Sequence, residues 1–359
     1  MQLSKSQRSI LPSWLTYTLT AAFVFSSIFV AVFAYLTAQT IWNRPLQPFE
    51  VAAAESADVS LQLNQEGPLE DDIFLQEGEP TPTLIPTIEA FEDTNRVNIL
   101  LMGIDRRPGE PFISRTDSMM IISLNQEEET ISILSVPRDL YVVIPGRGRD
   151  RINTAFVYGA SDGNPVNGAM LSMQTLEYNL GVQLDHYVLV DFAAVINGVN
   201  AIGGIDVNVP FNINDPTFPN MNYGFDPLFI PAGLQHLDGE LALKYARTRH
   251  VDSDFGRAQR QQQVVLAIRD KLLSMGVAQL VLQAPTLWQQ VEQGIRSDLS
   301  LEQFSQLGLL ASNIPSESIR NEVLDQNYVS SHTTETGAQV LILSNEKAAA
   351  LIESLFYEN

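Results

Sequence analysis

The stretch that decides the fold is residues 97–139, VNILLMGIDRRPGEPFISRTDSMMIISLNQEEETISILSVPRD. Three apolar runs within it, 97–102, 118–124 and 130–136, are short and rich in Ile, Leu, Val and Met. Runs of this length bounded by turn residues and charges predict buried β-strands. The acidic residues 125–129 predict the turn that joins the second strand to the third.

Helices and strands alternate further along the chain. A strand at 140–144 ends at Pro145-Gly146, and a long surface loop is predicted at 212–231, which is rich in Pro, Asn and Asp. The patterns predict helices at 166–180, 192–201, 238–245 and 257–275, and strands at 186–190 and 205–209. This interleaving predicts one α/β (α+β) domain at 96–359, with a central mixed β-sheet flanked by helices. For its last 80 residues we expect helices with one or two short strands.

An apolar segment lies near the N-terminus. No residue between Arg8 and Arg44 is charged, and residues 15–36 are 22 predominantly apolar positions. As a helix they span roughly 33 Å, which is enough to cross a hydrocarbon core. Basic residues before the segment and acidic ones after it predict a single pass through the cytoplasmic membrane with the N-terminus inside. We therefore expect a cytoplasmic segment at 1–14 and a transmembrane helix with its interface at 15–42. The alternative is a cleaved signal peptide.

The next segment, 43–95, is expected to be a disordered acidic linker. Residues 45–95 contain twelve acidic residues, six prolines and no Lys or Arg. Such a composition repels itself and cannot form a core. We expect it to tether the folded domain outside the membrane.

Composition excludes several functions. Asp and Glu total 42 against 21 Lys and Arg, and the formal charge of −21 argues against nucleic-acid binding. The chain has no cysteine and four histidines. Disulfides, thiolate zinc sites and cysteine nucleophiles are excluded, and a multi-histidine metal centre is not expected.

The basic residues form two groups. Eight lie from Arg96 to Arg151, seven from Lys244 to Lys271, and none from 152 to 243. This distribution suggests an anionic ligand held by parts of the chain that are distant in sequence.

Two aspartates adjoin the first two predicted strands. Asp105 follows the first strand and Asp117 precedes the second. If these strands are neighbours, both carboxylates can lie at one edge of the sheet, where they suit a Mg²⁺ ion that keeps several waters. The alternative is a turn aspartate and a strand-entry cap.

Arginines also follow the third strand. Arg138 and Asp139 come directly after Pro137, and Arg147, Arg149 and Arg151 follow in a glycine-containing loop. The planar fork of arginine suits phosphate because it donates two parallel hydrogen bonds. The alternative is an exposed, solvated loop.

The most informative motif is YARTRH at 245–250 with DFGRAQRQ at 254–261. If Arg247 and Arg249 are extended, they point to one side. Asp254 is placed to cap the following helix, on which Arg257 and Gln261 share a face. Arginines in a first turn oppose the helix dipole unless an anion compensates, so this arrangement favours an anion site.

These segments together resemble the LytR-CpsA-Psr family over about residues 96–275. The resemblance lies in the order and spacing of NILLMGIDRR, SRTDSMMIIS, ILSVPRDLYVVIPG, DRINTAFVYG, VDFAAVINGVNAIGGIDVNVP, HLDGELALKYARTRH and DFGRAQRQQQVV. It implies a phosphotransferase outside the cytoplasmic membrane. Such an enzyme moves a glycopolymer from a polyprenyl-pyrophosphate carrier to a cell-wall acceptor, usually the muramic acid hydroxyl of peptidoglycan, and forms a phosphodiester.

The resemblance also implies roles for residues. Asp105 and Asp117 resemble Mg²⁺-associated aspartates, and Asp254 matches an acidic position ahead of the arginine helix. The predicted pyrophosphate-binding set is Arg115, Arg138, Arg151 (where the family often has Lys), Arg247, Arg249, Arg257, Arg260 and Gln261. The predicted catalytic residues are Asp254, Arg138 and Arg257, and Asp254 is expected to act as general base or to orient the arginines.

Two other function classes stay open at this point. One is a polyprenyl-pyrophosphate pyrophosphatase with water as acceptor. The other is a non-catalytic membrane receptor or regulator that binds an anionic lipid or polymer.

Overall fold

The computed structural model describes residues 96–357, apart from 107–108, 221–223 and 250. The predicted cytoplasmic segment, transmembrane helix and linker (1–95) lie outside the described residues. Within the part that is described, no helix is both long enough and apolar enough to cross a membrane.

The described residues form a mixed α/β fold. The strands are β1 Arg96–Ile104, β2 Thr116–Asn125, β3 Thr130–Ser135, β4 Tyr141–Ile144, β5 Gly148–Arg151, β6 His186–Asp191, β7 Ile205–Val209, β8 Ile213–Asp215, β9 Leu228–Ile230, β10 Gly233–Leu237, β11 Ile295–Ser297, β12 Ile319–Val323, β13 Val329–Thr333 and β14 Gln339–Leu343. The helices are α1 Ala155–Gly159, α2 Pro165–Leu180, α3 Phe192–Ala201, α4 Gly239–Arg247, α5 Asp254–Met275, α6 Val277–Val291, α7 Leu301–Asn313 and α8 Asn345–Phe356.

A six-stranded mixed sheet forms the centre, in the order β11-β6-β1-β2-β3-β12. The β1–β6 and β3–β12 pairs are parallel, whereas β1–β2, β2–β3 and β6–β11 are antiparallel. The apolar side chains of the central strands are buried; Leu100, Met102 and Ile121 have no exposed surface. The predicted central mixed sheet with flanking helices is confirmed, and so are its first three strands, β1, β2 and β3.

Two apolar cores hold the fold together. The first packs the sheet against α1, α2 and α8, with Leu100, Phe156 and Phe356 among its members. The second packs β7–β10 against α3, α4 and α5, with Val207 and Tyr245 among its members. Burial of this apolar surface is the main driving force for folding. Gly181 ends α2 and adopts a left-handed φ of 73°, which favours glycine at a helix C-terminus.

The C-terminal region contributes more strands than predicted. Four lie after residue 276, and two of them form the edges of the central sheet: β11 beside β6 and β12 beside β3. The hydropathy pattern of the sequence does not reveal these strands. In β12 (IRNEV), for example, only the last residue is buried. The β14 strand contacts the segment between β3 and β4 through a backbone hydrogen bond of 2.9 Å from Leu341 N to Asp139 O.

The prediction of a surface loop at 212–231 is wrong in part. β8 and β9 pair antiparallel within it, in a register that places Ile213 opposite Ile230. The β7–β10 and β8–β9 pairs are two separate two-stranded sheets that follow one another along residues 205–215 and 228–237, and these residues are called the ribbon below. Three-residue strands among Pro, Asn and Asp carry too few apolar positions for a period of two to be recognised.

Candidate active site

An open cavity lies where β2 begins, β3 ends and α5 begins. Residues from both arginine-rich groups meet in it. Its lining includes Asp117, Ser118, Ser135, Arg138, Asp139, Asp254, Phe255, Arg257, Gln261, Val323 and Leu341. The antiparallel β1–β2–β3 order places the start of β2 next to the end of β3, and this brings Asp117 to Arg138.

Arg138 is the centre of the cavity's charge network. It donates a 2.7 Å hydrogen bond from Nη1 to Asp117 Oδ1, and its Nη2 lies 3.5 Å from Asp254 Oδ2. Its Nε lies 3.5 Å from Asp139 Oδ2 and has no hydrogen-bond partner among the described residues. Burial acts to lower the pKa of Arg138, but the hydrogen bond and the three surrounding carboxylates raise it above its ordinary value.

Arg257 lies on the first turn of α5 and is 8% exposed. Among the described residues, its one ion pair joins Nη1 to Asp254 Oδ1 at 3.5 Å. Burial, aided by the positive charges of Arg138 and Arg249, lowers the pKa of Arg257, and the carboxylates of Asp254 and Asp117 offset this only in part. A buried cation with such loose compensation is well suited to bind an anion.

Asp254 is a helical residue and does not cap α5, contrary to the prediction. Ser253 is the N-cap, and its Oγ accepts a hydrogen bond from Gly256 N. The Asp254 side chain is 38% exposed and bridges Arg138 and Arg257. Because Ser253 performs the capping, the Asp254 carboxylate remains available to the cavity.

Gln261 is fixed one turn further along α5. Its Oε1 accepts a 2.9 Å hydrogen bond from Ser118 Oγ, and its Nε2 donates to Ala246 O at 3.4 Å. This pair links β2 to α5. The prediction that Gln261 shares a face with Arg257 is confirmed, since both line the cavity.

Arg247 and Asp105 form a second site of contact. Arg247 Nη2 lies 3.8 Å from Asp105 Oδ2, and the guanidinium stacks on Phe192 at 4.2 Å and on Phe218 at 5.6 Å. The condition that Arg247 and Arg249 are both extended is not met, because α4 continues through Arg247 and the Thr248 amide donates to Lys244 O. Arg249 lies beyond the helix and is exposed.

Arg260 does not line the cavity, and the structure argues against its predicted pyrophosphate role. Its guanidinium donates from Nε to Tyr245 O at 3.1 Å, from Nη2 to Thr248 O, and from Nη1 to Asp252 at 2.5 Å. The residue is 3% exposed. Its donors therefore hold the 245–252 segment against α5.

Arg151 and Arg115 lie beside the cavity lining and are not part of it. Arg151 Nε lies 3.4 Å from Asp139 Oδ1, so Asp139 links Arg151 to Arg138. Arg115 is exposed and acts electrostatically on Asp150 and Tyr158.

The two predicted metal aspartates offer oxygen ligands in different settings. Asp105 Oδ1 is buried and accepts no hydrogen bond from the described residues, whereas Asp117 Oδ1 is taken by Arg138. The described part of the chain contains no cluster of three or more His, Asp or Glu that could hold a metal. Carboxylate oxygens are the kind of ligand that a hard cation such as Mg²⁺ takes together with water and phosphate.

Some residues of this site were not predicted from sequence. Asp139 bridges two arginines, Ser118 holds Gln261, and Phe192 and Phe218 stack on Arg247. Asp139 is adjacent to Arg138 in the sequence and could have been included. The aromatic contacts depend on how α3 and the ribbon pack, and no local pattern reveals them.

Comparison with known proteins shows the family. The LytR_cpsA_psr family model matches residues 61–356. The chain is 38% identical over 188 residues to the polyisoprenyl-teichoic acid–peptidoglycan teichoic acid transferase TagU of Oceanobacillus iheyensis, covering 52% of this chain and 54% of that protein. It is 35% identical over 235 residues to the corresponding TagT of Bacillus subtilis, covering 64% and 69%. The match thus spans about half to two thirds of these relatives' lengths.

Two solved structures of similar fold agree with the family match. TagT bound to LI-WTA superposes with a TM-score of 0.58 at 29% identity, covering 73% of this chain and 89% of that one. The crystal structure of B. subtilis TagV gives a TM-score of 0.58 at 26% identity. Given the extent of the family match and the shared fold, the chain belongs to the LytR-CpsA-Psr family.

Proposed function

We propose that this protein is a phosphotransferase that moves a glycopolymer from a polyprenyl-pyrophosphate carrier to a cell-wall hydroxyl, that of peptidoglycan muramic acid. The observation that carries the proposal is the meeting of Arg138, Arg257 and Asp254 in one cavity, since two cations and one carboxylate suit an anionic donor and a hydroxyl acceptor. The names of the relatives support it, because they are polyisoprenyl-teichoic acid–peptidoglycan teichoic acid transferases.

Arg138 and Arg257 would bind the non-bridging oxygens of the pyrophosphate. Both line the cavity, where Asp117 holds Arg138 and Asp254 holds Arg257. Preorganised donors of this kind stabilise the charge that develops in a displacement at phosphorus. Arg247 and Gln261 add donors nearby.

Asp254 would take the proton of the acceptor hydroxyl. The acceptor oxygen forms a new bond to the phosphorus next to the glycan, and the bond from this phosphorus to the bridging oxygen breaks. Polyprenyl phosphate leaves with the bridging oxygen and its electron pair, and the glycan becomes linked to the acceptor through a phosphodiester. A carboxylate in this position contributes as a general base.

Asp105 and Asp117 would hold Mg²⁺. When bound, the ion supplies further positive charge for the pyrophosphate oxygens. The Asp105 Oδ1, which is buried and accepts no hydrogen bond from the described residues, supports this assignment.

We further propose that the protein works at the outer face of the cytoplasmic membrane. The support is the uncharged 15–36 segment with its flanking charges, which predicts one transmembrane helix with the N-terminus inside. This location gives the cavity access to a lipid carrier and to the cell wall.

The test uses the full chain in vesicles with a polyprenyl-pyrophosphate glycan, with and without peptidoglycan fragments. A glycan–peptidoglycan phosphodiester that forms only with the fragments supports the proposal. Release of glycan phosphate to water at equal rates in both arms would instead identify a pyrophosphatase. Binding without turnover would identify a receptor. Arg320→Ala serves as the matched control, because Arg320 is an exposed arginine on β12 that does not line the cavity.

A further inference from the structure

The ribbon has one buried face and one open face. Val207, Val209, Ile213, Ile230 and Leu237 all point inward and belong to the same apolar core. Side chains alternate along each strand, so the intervening strand residues, among them Phe229 and Leu234, lie on the outward side. Phe211 lies in the connection between β7 and β8.

The outward side is apolar towards one end. Leu234 is 74% exposed, Phe229 is 64% exposed and Phe211 is 43% exposed. Phe225, in the loop that closes the ribbon, is 68% exposed. These four residues are half of the eight large hydrophobic side chains that stand exposed in the described part of the chain. Exposed apolar side chains grouped in this way mark interaction surfaces.

The opposite end of the ribbon is polar. His236 Nδ1 and Asp206 Oδ1 form a hydrogen bond of 2.7 Å there, and both side chains are exposed. The whole stretch 152–243 contains no Lys or Arg. The outer face therefore has no cations for an anionic surface, and any binding by it must depend on apolar contact.

The apolar end adjoins the candidate active site. Phe218, in the loop between β8 and β9, stacks on the Arg247 guanidinium. In the same loop Asp226 accepts a 2.6 Å hydrogen bond from Lys244 Nζ on α4. Two contacts thus connect the ribbon's closing loop to the helix that carries Arg247.

We propose that Phe211, Phe225, Phe229 and Leu234 insert into the surface of the lipid bilayer. The inference rests on the proposed function, because a polyprenyl-linked pyrophosphate has its headgroup at the membrane surface, and Arg247 must come close to that surface to reach it. Phenylalanine and leucine are the side chains that bury at the headgroup–acyl boundary. The insertion would position the cavity over the carrier.

The absence of cysteine permits a direct test. In the full chain, single Phe229→Cys and Leu234→Cys variants can each be labelled with a nitroxide at one site. The matched controls are Tyr178→Cys on α2 and Leu282→Cys on α6, because these side chains are equally exposed but lie elsewhere in the fold. The protein is placed in phosphatidylcholine vesicles without substrate, and collisions of each label with oxygen and with a water-soluble nickel complex are measured. Circular dichroism melting confirms that each variant is folded.

We expect the labels at 229 and 234 to show a severalfold rise in the ratio of oxygen to nickel collisions relative to detergent solution, equally at low and high salt. Labels at 178 and 282 should keep an aqueous ratio. Aqueous ratios at 229 and 234 would overturn the inference, and so would spin–spin broadening at these sites that depends on protein density, which would indicate contact between copies. Because no substrate is present, failure of the transferase assay would not affect this result, and a working transferase with aqueous labels would refute the ribbon's role alone.

Discussion

Arg257 and Arg260 lie three residues apart on α5, both are almost fully buried, and they do different things. Arg260 uses its donors on Tyr245, Thr248 and Asp252. Within the part of the chain that the structure describes, Arg257 has one ion pair, to Asp254 at 3.5 Å, and it borders the cavity. Burial alone therefore does not identify a ligand-binding arginine. What distinguishes the two is how many donors the protein itself satisfies.

The largest effect is expected on turnover, from the cavity substitution Asp254→Asn. Ser253 caps α5, so the melting temperature should stay within a few degrees while turnover falls by roughly 10²–10⁴-fold, the range for loss of a general base. Rates in the vesicle assay and melting curves measure both quantities. A variant that keeps its turnover but loses affinity for the donor would assign Asp254 to orienting the arginines.

Arg260 is buried and does not line the cavity, so Arg260→Ala should mainly lower the free energy of unfolding. It leaves Asp252 without its cation and the carbonyls of the buried residues Tyr245 and Thr248 without their donor. Each buried carbonyl left unpaired costs about 1–3 kcal/mol. Denaturant unfolding monitored by circular dichroism measures this loss, with Arg320→Ala as the exposed control. A loss of less than about 1 kcal/mol for Arg260→Ala would remove the distinction drawn between the two arginines.

The sequence predicts the residues that line the cavity better than it predicts the buried contacts of Arg260. Order and spacing identify Asp117, Arg138, Arg257 and Gln261, all of which line the cavity. Arg260 belongs to the same motif, and only the path of 245–252 shows that its donors face inward. A one-dimensional pattern records residue type and spacing but not which partners a fold supplies.

The same limit applies to the fold. Long apolar strands such as β1 and β2 are recognisable because they are buried on both faces. The short, half-polar strand β12 and the ribbon strands β8 and β9 form because neighbouring strands are available to pair with them. Their pairing depends on tertiary contacts that a local period of two does not record.

A smaller effect is expected when single cavity arginines are removed. Arg257→Ala or Arg138→Ala should weaken binding of the polyprenyl-pyrophosphate donor by about 1.5–3 kcal/mol, the range for hydrogen bonds to charged groups. Arg→Lys should restore only part of this, because the two-pronged fork is lost. Titration calorimetry measures the affinities. Full rescue by lysine at both positions would argue that charge alone, and not fork geometry, holds the donor.

The smallest effect is expected at the proposed metal aspartates. Asp105→Ala or Asp117→Ala should lower turnover at least tenfold, about 1.4 kcal/mol of barrier, and should raise the Mg²⁺ concentration needed for half-maximal rate. Rates across a magnesium titration test this. If both variants and the parent chain work equally well in chelator, no metal takes part.

The central claim is that arginines from two distant parts of the chain hold one pyrophosphate. A double-mutant cycle on donor affinity tests it most directly, with Arg138→Ala, Arg257→Ala, the double variant and Arg320→Ala as control. We predict that each single variant loses affinity and that the double variant departs from their sum by at least about 0.5 kcal/mol, as residues acting on one ligand do. Unchanged affinity in both single variants, or losses that add within about 0.3 kcal/mol, would contradict the claim.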